Sequence, residues 1–437
     1  MLKVYRLHIN LAIIPELLQI LFITVTIFAY WHISPPIRDR YVWLLLLFIP
    51  LAALRLLFSR RLLTLHALLP LFVTFILLSI ANYYTAPYQR SDYFVLISRP
   101  LCGIWLVTAF LEVSRVMRSQ TVPLALTLGL ALITGLLGLT ATQWTTKSEA
   151  FSGLIALLPR LDHRAFLPDA QLSFNPNEIA GAMAWLCPLA LGLAALPGRG
   201  RLWRAAFASA GLLLLLALFM GQSRFALAGV LGALGLLALG LASGWRRAAL
   251  LAAIGGLVVA QALLVWRFPE EPSPTAVNVP ELSSRDMQSV NTRLQMWQRS
   301  LEMVADYPLT GVGMSMYRTA IRTERYQIPY FESINFTAPH AHNEFLQIGA
   351  DLGVGGWLWW LAAAGVIVWL LYRLYRSGTA ESRVLSLALG AGFIAHAVYG
   401  LGDAITLWDR FAFVGWWLVA LTVSASFLAK LRYNSVL

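Results

Sequence analysis

The fold class of this chain is decided by the stretch HNEFLQIGADLGVGGWLWWLAAAGVIVWLLY, residues 342–372. The stretch begins with three polar residues and is then largely apolar to its end. A helix must present about 20 apolar residues to cross the hydrocarbon layer of a bilayer. These residues therefore predict a transmembrane helix that carries His342, Asn343 and Glu344 at the membrane surface.

The composition of the whole chain points the same way. Of its 437 residues, 59% are hydrophobic and 12% are charged, and the mean hydropathy is +0.68. Such a composition predicts an integral membrane protein. The net charge is +12, but the basic residues lie scattered in short connections between apolar runs. That distribution is typical of membrane proteins and argues against a nucleic-acid partner.

The same length criterion predicts twelve transmembrane helices in one polytopic membrane domain, residues 1–437. They are expected at about 10–31, 41–58, 62–82, 94–112, 121–143, 177–196, 203–221, 225–243, 247–267, 343–372, 384–402 and 411–429. Two connections are long, residues 144–176 and residues 268–342. The predicted fold is thus an all-α integral membrane protein.

The orientation follows from the basic residues of the short loops. With the N-terminus inside, sixteen Lys and Arg residues fall on the inner side and five on the outer side. Because cytoplasmic loops carry the excess of Lys and Arg, both termini are predicted to be cytoplasmic. Both long connections then face outward, which in a bacterial inner membrane is the periplasm.

The longer outer connection, 268–342, is predicted to be partly helical. From Val290 to Ala305, an apolar stripe at helical spacing predicts an amphipathic helix on the membrane face. The stripe consists of Leu294, Trp297, Leu301 and Val304. Pro308 is expected to end this helix, because the residue before a proline avoids helical angles. A second short helix is expected within residues 314–321.

Polar residues far apart in sequence are predicted to meet at the outer membrane surface. The set consists of Asn175, Asn177, Ser223, Arg224, Arg293, Arg299, His340, His342, Asn343, Asp403 and Asp409. Arginine offers a charged fork that matches phosphate oxygens, and a neutral histidine can take a proton from an attacking hydroxyl. The chain has no GxxxxGK[ST] phosphate loop, and a transferase outside the cytoplasm needs a preactivated donor. A lipid-linked sugar diphosphate meets that requirement.

A metal centre is not expected, because His340 and His342 lack a convincing set of carboxylate partners at ligand spacing in the sequence. Other residues have plainer interpretations. Arg224 could be an interfacial arginine reaching water, Arg299 a solvated charge, and His342 with Asn343 a helix cap. Asp403 could satisfy a helix end or pair with Arg410. Glycines 353, 355 and 356 could permit close helix packing, and the backbone of GVG, residues 311–313, could approach a phosphate.

Four stretches together resemble the O-antigen ligase and polymerase superfamily of bacterial membrane glycosyltransferases. They are SFNPNEIAG (173–181), GQSRFALAGVLGALGL (221–236), NTRLQMWQRSLEMVADYPLTGVGMSMYR (291–318) and HAHNEFLQIGADLGVGG (340–356). The resemblance spans about residues 170–405. It implies a GT-C-like, metal-independent enzyme without a cofactor, with its active site on the periplasmic side.

The resemblance also implies roles for single residues. The essential loop histidine of the family falls on His342, with His340 as the second choice. Its junction arginine falls on Arg224, its loop arginine on Arg293 and its late acidic residue on Asp403. Supporting roles are expected for the remaining candidates, Asn175, Asn177, Asn343 and Trp297.

The activity implied is transfer of a glycan from undecaprenyl diphosphate to a lipid A-core sugar, as in an O-antigen ligase. Donor, acceptor and membrane lipids are the expected partners. One alternative is an O-antigen polymerase, whose acceptor is another lipid-linked repeat unit. An alternative of another class is a transporter or flippase of lipid-linked sugars. A central cavity lined by Arg55 or Arg99 would favour that last function.

Overall fold

The structure is a computed structural model. It describes residues 13–31, 48–59, 66–88, 93–142, 152–159, 174–249, 281–328, 338–405, 407, 409 and 411–434. Nearly all of the ninth expected span (247–267), most of the 144–176 connection and Arg410 lie outside these residues.

The described residues are helical and contain no strand, which confirms the all-α prediction. In chain order the helices are α1 (Ile14–Trp31), α2 (Phe48–Ser59), α3 (Leu69–Thr85), α4 (Tyr93–Met117), α5 (Thr121–Thr140), α6 (Ser152–Leu157), α7 (Pro176–Ala194), α8 (Arg201–Gly221), α9 (Arg224–Leu241), α10 (Glu281–Asp306), α11 (Tyr317–Ala320), α12 (Glu344–Arg376), α13 (Ala380–Tyr399) and α14 (Ala412–Asn434).

Eight of these helices are long and apolar enough to cross a membrane, so the chain is a multi-pass membrane protein. They are α4, α5, α7, α8, α9, α12, α13 and α14. The first three expected spans are shorter helices in the described residues, namely α1, α2 and α3. The count of twelve therefore stays a prediction, while most of its members are helices close to their expected ends.

Helix α7 lies at the centre of the bundle and packs against α5, α8, α9 and α13. Close approach needs small residues, since lipid gives helices no hydrophobic drive to associate. At Gly392 of α13, an added Cβ would lie 2.6 Å from the carbonyl oxygen of Trp185 in α7. The α7–α13 contact is important for function because the site is built at the outer ends of these two helices.

Arg55 is fully buried between α1, α2 and α4. Its Nε donates to Glu16 at 2.8 Å, its Nη1 donates to Thr108 at 3.1 Å, and its guanidinium lies 5.1 Å from the Trp105 ring centroid. An intramembrane charge is costly unless it is paired in this way. Neither Arg55 nor Arg99 lines the apolar cavity described below, so the feature that would favour a transporter is not seen there.

The amphipathic helix expected in the long connection is α10, and it ends at Asp306, just before Tyr307 and Pro308, as predicted. The expected buried stripe is wrong in part. Leu294 and Leu301 are about half exposed, whereas Met296, Ser300 and Met303 are buried. Both sets have helical spacing, so periodicity alone could not select the face that packs inward.

Helix α12 has a break at Gly353, whose φ of 67° and ψ of −160° are essentially restricted to glycine. The break leaves carbonyl groups of α12 without partners inside the helix, and the GVG turn donates hydrogen bonds to them. The N–H groups of Val312 and Gly313 donate to the carbonyls of Ala350 and Asp351 at 2.7 and 3.2 Å. These N–H groups are thus used within the protein, which removes the phosphate-binding interpretation of GVG. Gly353 breaks the helix, rather than only allowing close packing.

Candidate active site

The two loop histidines are positioned by the start of α12. Asn343 is its N-cap residue, and its Oδ1 accepts a hydrogen bond from the Leu346 N–H at 3.0 Å. Its side-chain amide also donates to the carbonyl of Leu401 at 3.2 Å, just beyond α13. The backbone N–H of Glu344 donates to the carbonyl of Gly400 at 2.8 Å. Asn343 therefore has the capping role considered for it, and it joins α12 to the outer end of α13.

That junction brings Asp403 against both histidines. Oδ1 of Asp403 lies 3.1 Å from Nδ1 of His342 and 3.7 Å from Nε2 of His340. The His342 contact is a close approach of the two groups that lies outside hydrogen-bond geometry. Asp403 is 6% exposed. The sequence spacing offered the histidines no convincing set of carboxylate partners, and the fold supplies one carboxylate, Asp403, from the turn that follows α13.

The protonation states follow from these contacts. Burial by itself raises the pKa of Asp403, but the neighbouring rings of His342 and His340 lower that pKa below its usual range. Burial also lowers the pKa of His340 to about 4, so this imidazole is neutral at pH 7. An ionised carboxylate only accepts hydrogen bonds, so the Nδ1 of His342, which faces it, is a nitrogen that carries a proton. Its Nε2 is then the basic atom.

The backbone of His342 is in the left-handed region, with a φ of 49°. Non-glycine residues adopt it rarely, and such strain is typical of functional sites. The side chain of His342 keeps 23% of its surface exposed. The structure therefore holds this imidazole with one edge against Asp403 and part of the ring open to a ligand.

The three side chains also offer one possible metal-ligand atom each within 4.8 Å of one another. The contacts of His340 do not suit a metal ligand. Its Nδ1 accepts the backbone N–H of His342 at 3.3 Å, so the proton of the neutral ring is on Nε2, the atom facing Asp403. A neutral histidine that binds metal through Nε2 must carry its proton on Nδ1, facing an acceptor. The set therefore fits proton transfer better than metal binding.

Of the two arginines expected to bind the donor, Arg293 lies near the ring of Phe225, and Arg224 precedes that residue in the chain. Arg224 is the first residue of α9, and the guanidinium of Arg293 in α10 lies 6.0 Å from the ring centroid of Phe225. Phe225 in turn packs against Gly402, where even one added carbon would collide with its ring. Since Gly402 precedes Asp403, this aromatic ring lies between Arg293 and the backbone segment that carries Asp403.

Asn175 and Asn177 lie at the start of α7. Asn175 is its N-cap, and its side chain accepts the N–H of Asn177 at 2.9 Å. The carbonyl of Asn177 accepts the buried hydroxyl of Tyr399 at 3.1 Å. These asparagines thus fix α7 to the end of α13, close in sequence to Asp403, and the contacts described for them are structural.

Trp297 and Arg299 lie on α10, after Arg293. The indole N–H of Trp297 is buried and has no hydrogen-bond partner in the described part of the chain. Arg299 pairs with Glu302 at 2.7 Å, and both side chains are partly exposed, as expected for a solvated helix face. Trp297 therefore offers a free donor, whereas Arg299 does not differ from an ordinary surface residue.

A second histidine–carboxylate pair joins α13 to the first residue of α12, and the sequence did not indicate it. Nε2 of His396 lies 3.1 Å from Oε2 of Glu344, and its Nδ1 lies 3.2 Å from the carbonyl of Gly181. The imidazole stacks on Trp185, with centroids 3.3 Å apart. A carbonyl oxygen only accepts hydrogen bonds, so Nδ1 is the nitrogen of His396 that donates to Gly181.

This pair borders an apolar cavity of about 330 Å³ between α3, α12, α13 and α14. Aromatic residues, among them Phe72, Trp360 and Trp416, form much of its wall. Glu344 and His396 are its ionisable residues. The cavity therefore has the chemistry of a site for an apolar chain with a polar end.

The family model of the O-antigen ligases matches residues 209–361. This match supports the resemblance of the chain to the O-antigen ligase superfamily. The matched segment is about a third of the chain and contains Arg224, Arg293, Trp297 and both loop histidines. Asp403 and the asparagines at the start of α7 lie outside it. No curated protein sequence matches the chain.

The resemblance of this chain to the O-antigen ligase superfamily is thus confirmed, and that family is one of glycosyltransferase-like enzymes. Sequence reasoning named the loop histidines, Asp403 and the two arginines, and their roles stay predictions. It did not single out Phe225, Glu344 or His396, which the structure places near them. For Glu344, the available signal was a carboxylate two residues after His342 in a stretch already identified as polar.

Proposed function

We propose that this protein is an O-antigen ligase that transfers a glycan from undecaprenyl diphosphate to a lipid A-core sugar hydroxyl. The observation that carries the proposal is the contact between His342 and Asp403, at 3.1 Å, in a chain with an O-antigen ligase domain. A histidine oriented by a buried carboxylate is the arrangement that enzymes use to remove a proton from a hydroxyl.

In the proposed reaction, Nε2 of His342 takes the proton of the acceptor hydroxyl as its oxygen attacks the anomeric carbon of the donor sugar. The bond from that carbon to the diphosphate oxygen breaks, and the undecaprenyl diphosphate leaves with the electron pair. Asp403 stabilises the imidazolium that forms on His342. The proposed reaction requires no metal or cofactor, because the diphosphate is already a good leaving group.

Arg224 and Arg293 are proposed to bind the donor diphosphate, since guanidinium groups match phosphate oxygens and stabilise the charge that develops on departure. Their position beside Phe225, next to the Asp403 segment, supports this role. The indole N–H of Trp297, which has no hydrogen-bond partner among the described residues, would add a hydrogen bond from the same helix as Arg293. Asn175, Asn177 and Asn343 would hold the helix ends around the site.

The apolar cavity between α3, α12, α13 and α14 is proposed to receive part of the polyprenyl chain, entering sideways from the bilayer. A lipid-borne donor and a lipid-borne acceptor would then meet at the membrane surface. The proposed placement is the bacterial inner membrane, with cytoplasmic termini and a GT-C-type active site facing the periplasm, as the distribution of basic residues favours.

The proposal is tested by a surface-polysaccharide gel of a deletion strain complemented with the wild-type gene. Without the protein, we expect bare lipid A core and long polymer still attached to its carrier lipid, with the normal ladder restored by wild type. Lipid A core bearing a single repeat unit would instead identify a polymerase. Loss of polymer from the periplasm, with donor trapped on the cytoplasmic side, would identify a transporter.

A further inference from the structure

A buried chain of hydrogen bonds runs from the loop histidines into α12. The backbone N–H of Ala341, between the two histidines, donates to Oε1 of Gln347 at 2.7 Å. The Nε2 of Gln347 donates to Oδ2 of Asp351 at 2.8 Å, and Oδ1 of Asp351 accepts the backbone N–H of Tyr317 at 3.3 Å. Gln347 is 2% exposed and Asp351 is fully buried.

The direction of this chain is fixed by the chemistry of its members. A carboxylate can only accept, so Asp351 requires the NH₂ group of Gln347 to face it. The amide oxygen of Gln347 must then face the other way, toward the N–H of Ala341. A backbone N–H can only donate, so Tyr317 and Ala341 both require acceptors. Only one orientation of the Gln347 amide satisfies all of these contacts.

The contact at Ala341 acts on the strained part of the site. His342 follows Ala341 with a φ of 49°, and the backbone N–H of His342 donates to the ring of His340. Strained backbone persists only where its surroundings overdetermine it. Asn343 fixes the loop on the C-terminal side of His342, and Gln347 fixes it on the N-terminal side.

We infer that Gln347 and Asp351 are positioning residues that hold the His340–His342 loop in its reactive conformation, a role that rests on the proposed transferase function. Neither touches the cluster of His342 and Asp403 in the contacts described. They act through the backbone of Ala341. Through Tyr317, the same chain ties the histidine loop to the connection that carries Arg293.

The test exchanges donor and acceptor between the two positions. In Asp351→Asn, the new NH₂ group must face either the Gln347 NH₂ or the Tyr317 N–H. Two hydrogen-bond donors are therefore opposed in both orientations of the new amide. In Gln347→Glu, two carboxylates face each other. In the double variant Gln347→Glu/Asp351→Asn, the Asn NH₂ donates to the Glu carboxylate, which still accepts from Ala341. The Asn oxygen still accepts from Tyr317, so these three contacts are restored.

We expect each single variant to lower kcat roughly ten- to hundred-fold, because each places two buried donors or two buried acceptors against each other. The KM for the donor should stay within about twofold of wild type, and the double variant should recover most of the lost kcat. Gln298→Glu, the same change on the exposed face of α10, should leave kcat unchanged. Thermal unfolding in detergent shows whether each variant is folded.

The inference is overturned if the single variants keep wild-type kcat, or if the double variant is no better than the single ones. If single variants do not fold, the double variant decides the matter, since it should fold and be active. Failure of the proposed function gives a different result, because wild type itself would then transfer no glycan in the assay.

Discussion

The substitution Asp403→Asn isolates the contribution of one charge to the proposed reaction. It keeps the side-chain volume and removes the carboxylate that lies 3.1 Å from Nδ1 of His342. At this distance, a carboxylate and an imidazolium attract by about 5 kcal/mol at an effective dielectric constant of about 20, and by about 3 kcal/mol at about 40. The imidazolium forms only during reaction, so the loss should fall on kcat, by roughly 10²- to 10⁴-fold.

The assay is single-turnover transfer by the purified protein, with undecaprenyl-diphosphate-linked glycan and lipid A core as substrates. The matched control is Asp306→Asn, which breaks an ion pair with Arg325 on the outer loop at 2.9 Å. That variant should keep wild-type kcat. If Asp403→Asn retains more than a tenth of the wild-type kcat, Asp403 does not stabilise a charged His342, and the reasoning is refuted.

Three further substitutions test the donor site, the helix break and the buried histidine. Arg224→Ala should raise the donor KM roughly 10- to 100-fold, as expected for a lost charge-assisted hydrogen bond, and should leave the acceptor KM unchanged. Arg299→Ala is the control. Equal effects of the two substitutions on the donor KM would contradict the donor role of Arg224. Gly353→Ala should destabilise the protein by about 1–3 kcal/mol in thermal unfolding, because its φ of 67° is unfavourable and the new Cβ would lie 2.5 Å from the Pro308 carbonyl oxygen. Gly365→Ala, in open space on the same helix, should be neutral or stabilising, and a similar loss there would point to a general effect on α12. Burial lowers the pKa of His340 to about 4, so the unfolded chain binds a proton at a higher pH than the folded protein does. Roughly 3 kcal/mol of folding stability should therefore be lost as the pH falls from 6.5 to 4. His340→Gln should lose less stability over this range, and equal losses in the variant and the wild type would contradict the assignment.

Features encoded by neighbouring residues were predictable from sequence. The length of the apolar run gave α12, and Pro308 gave the end of α10. The cap at Asn343 was a recognised possibility. Each of these depends on contacts within a few residues, where chain geometry leaves few alternatives.

Features that depend on contacts between helices were not predictable in the same way. Asp403 meets His342 only because α13 runs back along α12 and ends beside its first turn. The pairing of Glu344 with His396 has the same origin. In α10, apolar residues lie on more than one face, so only packing against α12 decides that Met296 is buried and Leu294 is exposed.

The break at Gly353 also depends on tertiary structure. A glycine in an apolar helix is compatible with close packing, with a kink, or with neither. Here the Pro308–Gly313 turn supplies the donors and acceptors that a broken helix needs. The sequence showed both segments, but not that they would pair.

The central claim is that His342 removes the acceptor proton, and one measurement tests it most directly. Transfer rate and donor affinity are compared for wild-type and His342→Ala protein reconstituted in liposomes. For His342→Ala we predict unchanged donor affinity and a transfer rate at least about 100-fold below that of wild type, which is the contribution expected of a general base. A His342→Ala protein that transfers glycan at nearly the wild-type rate would contradict it.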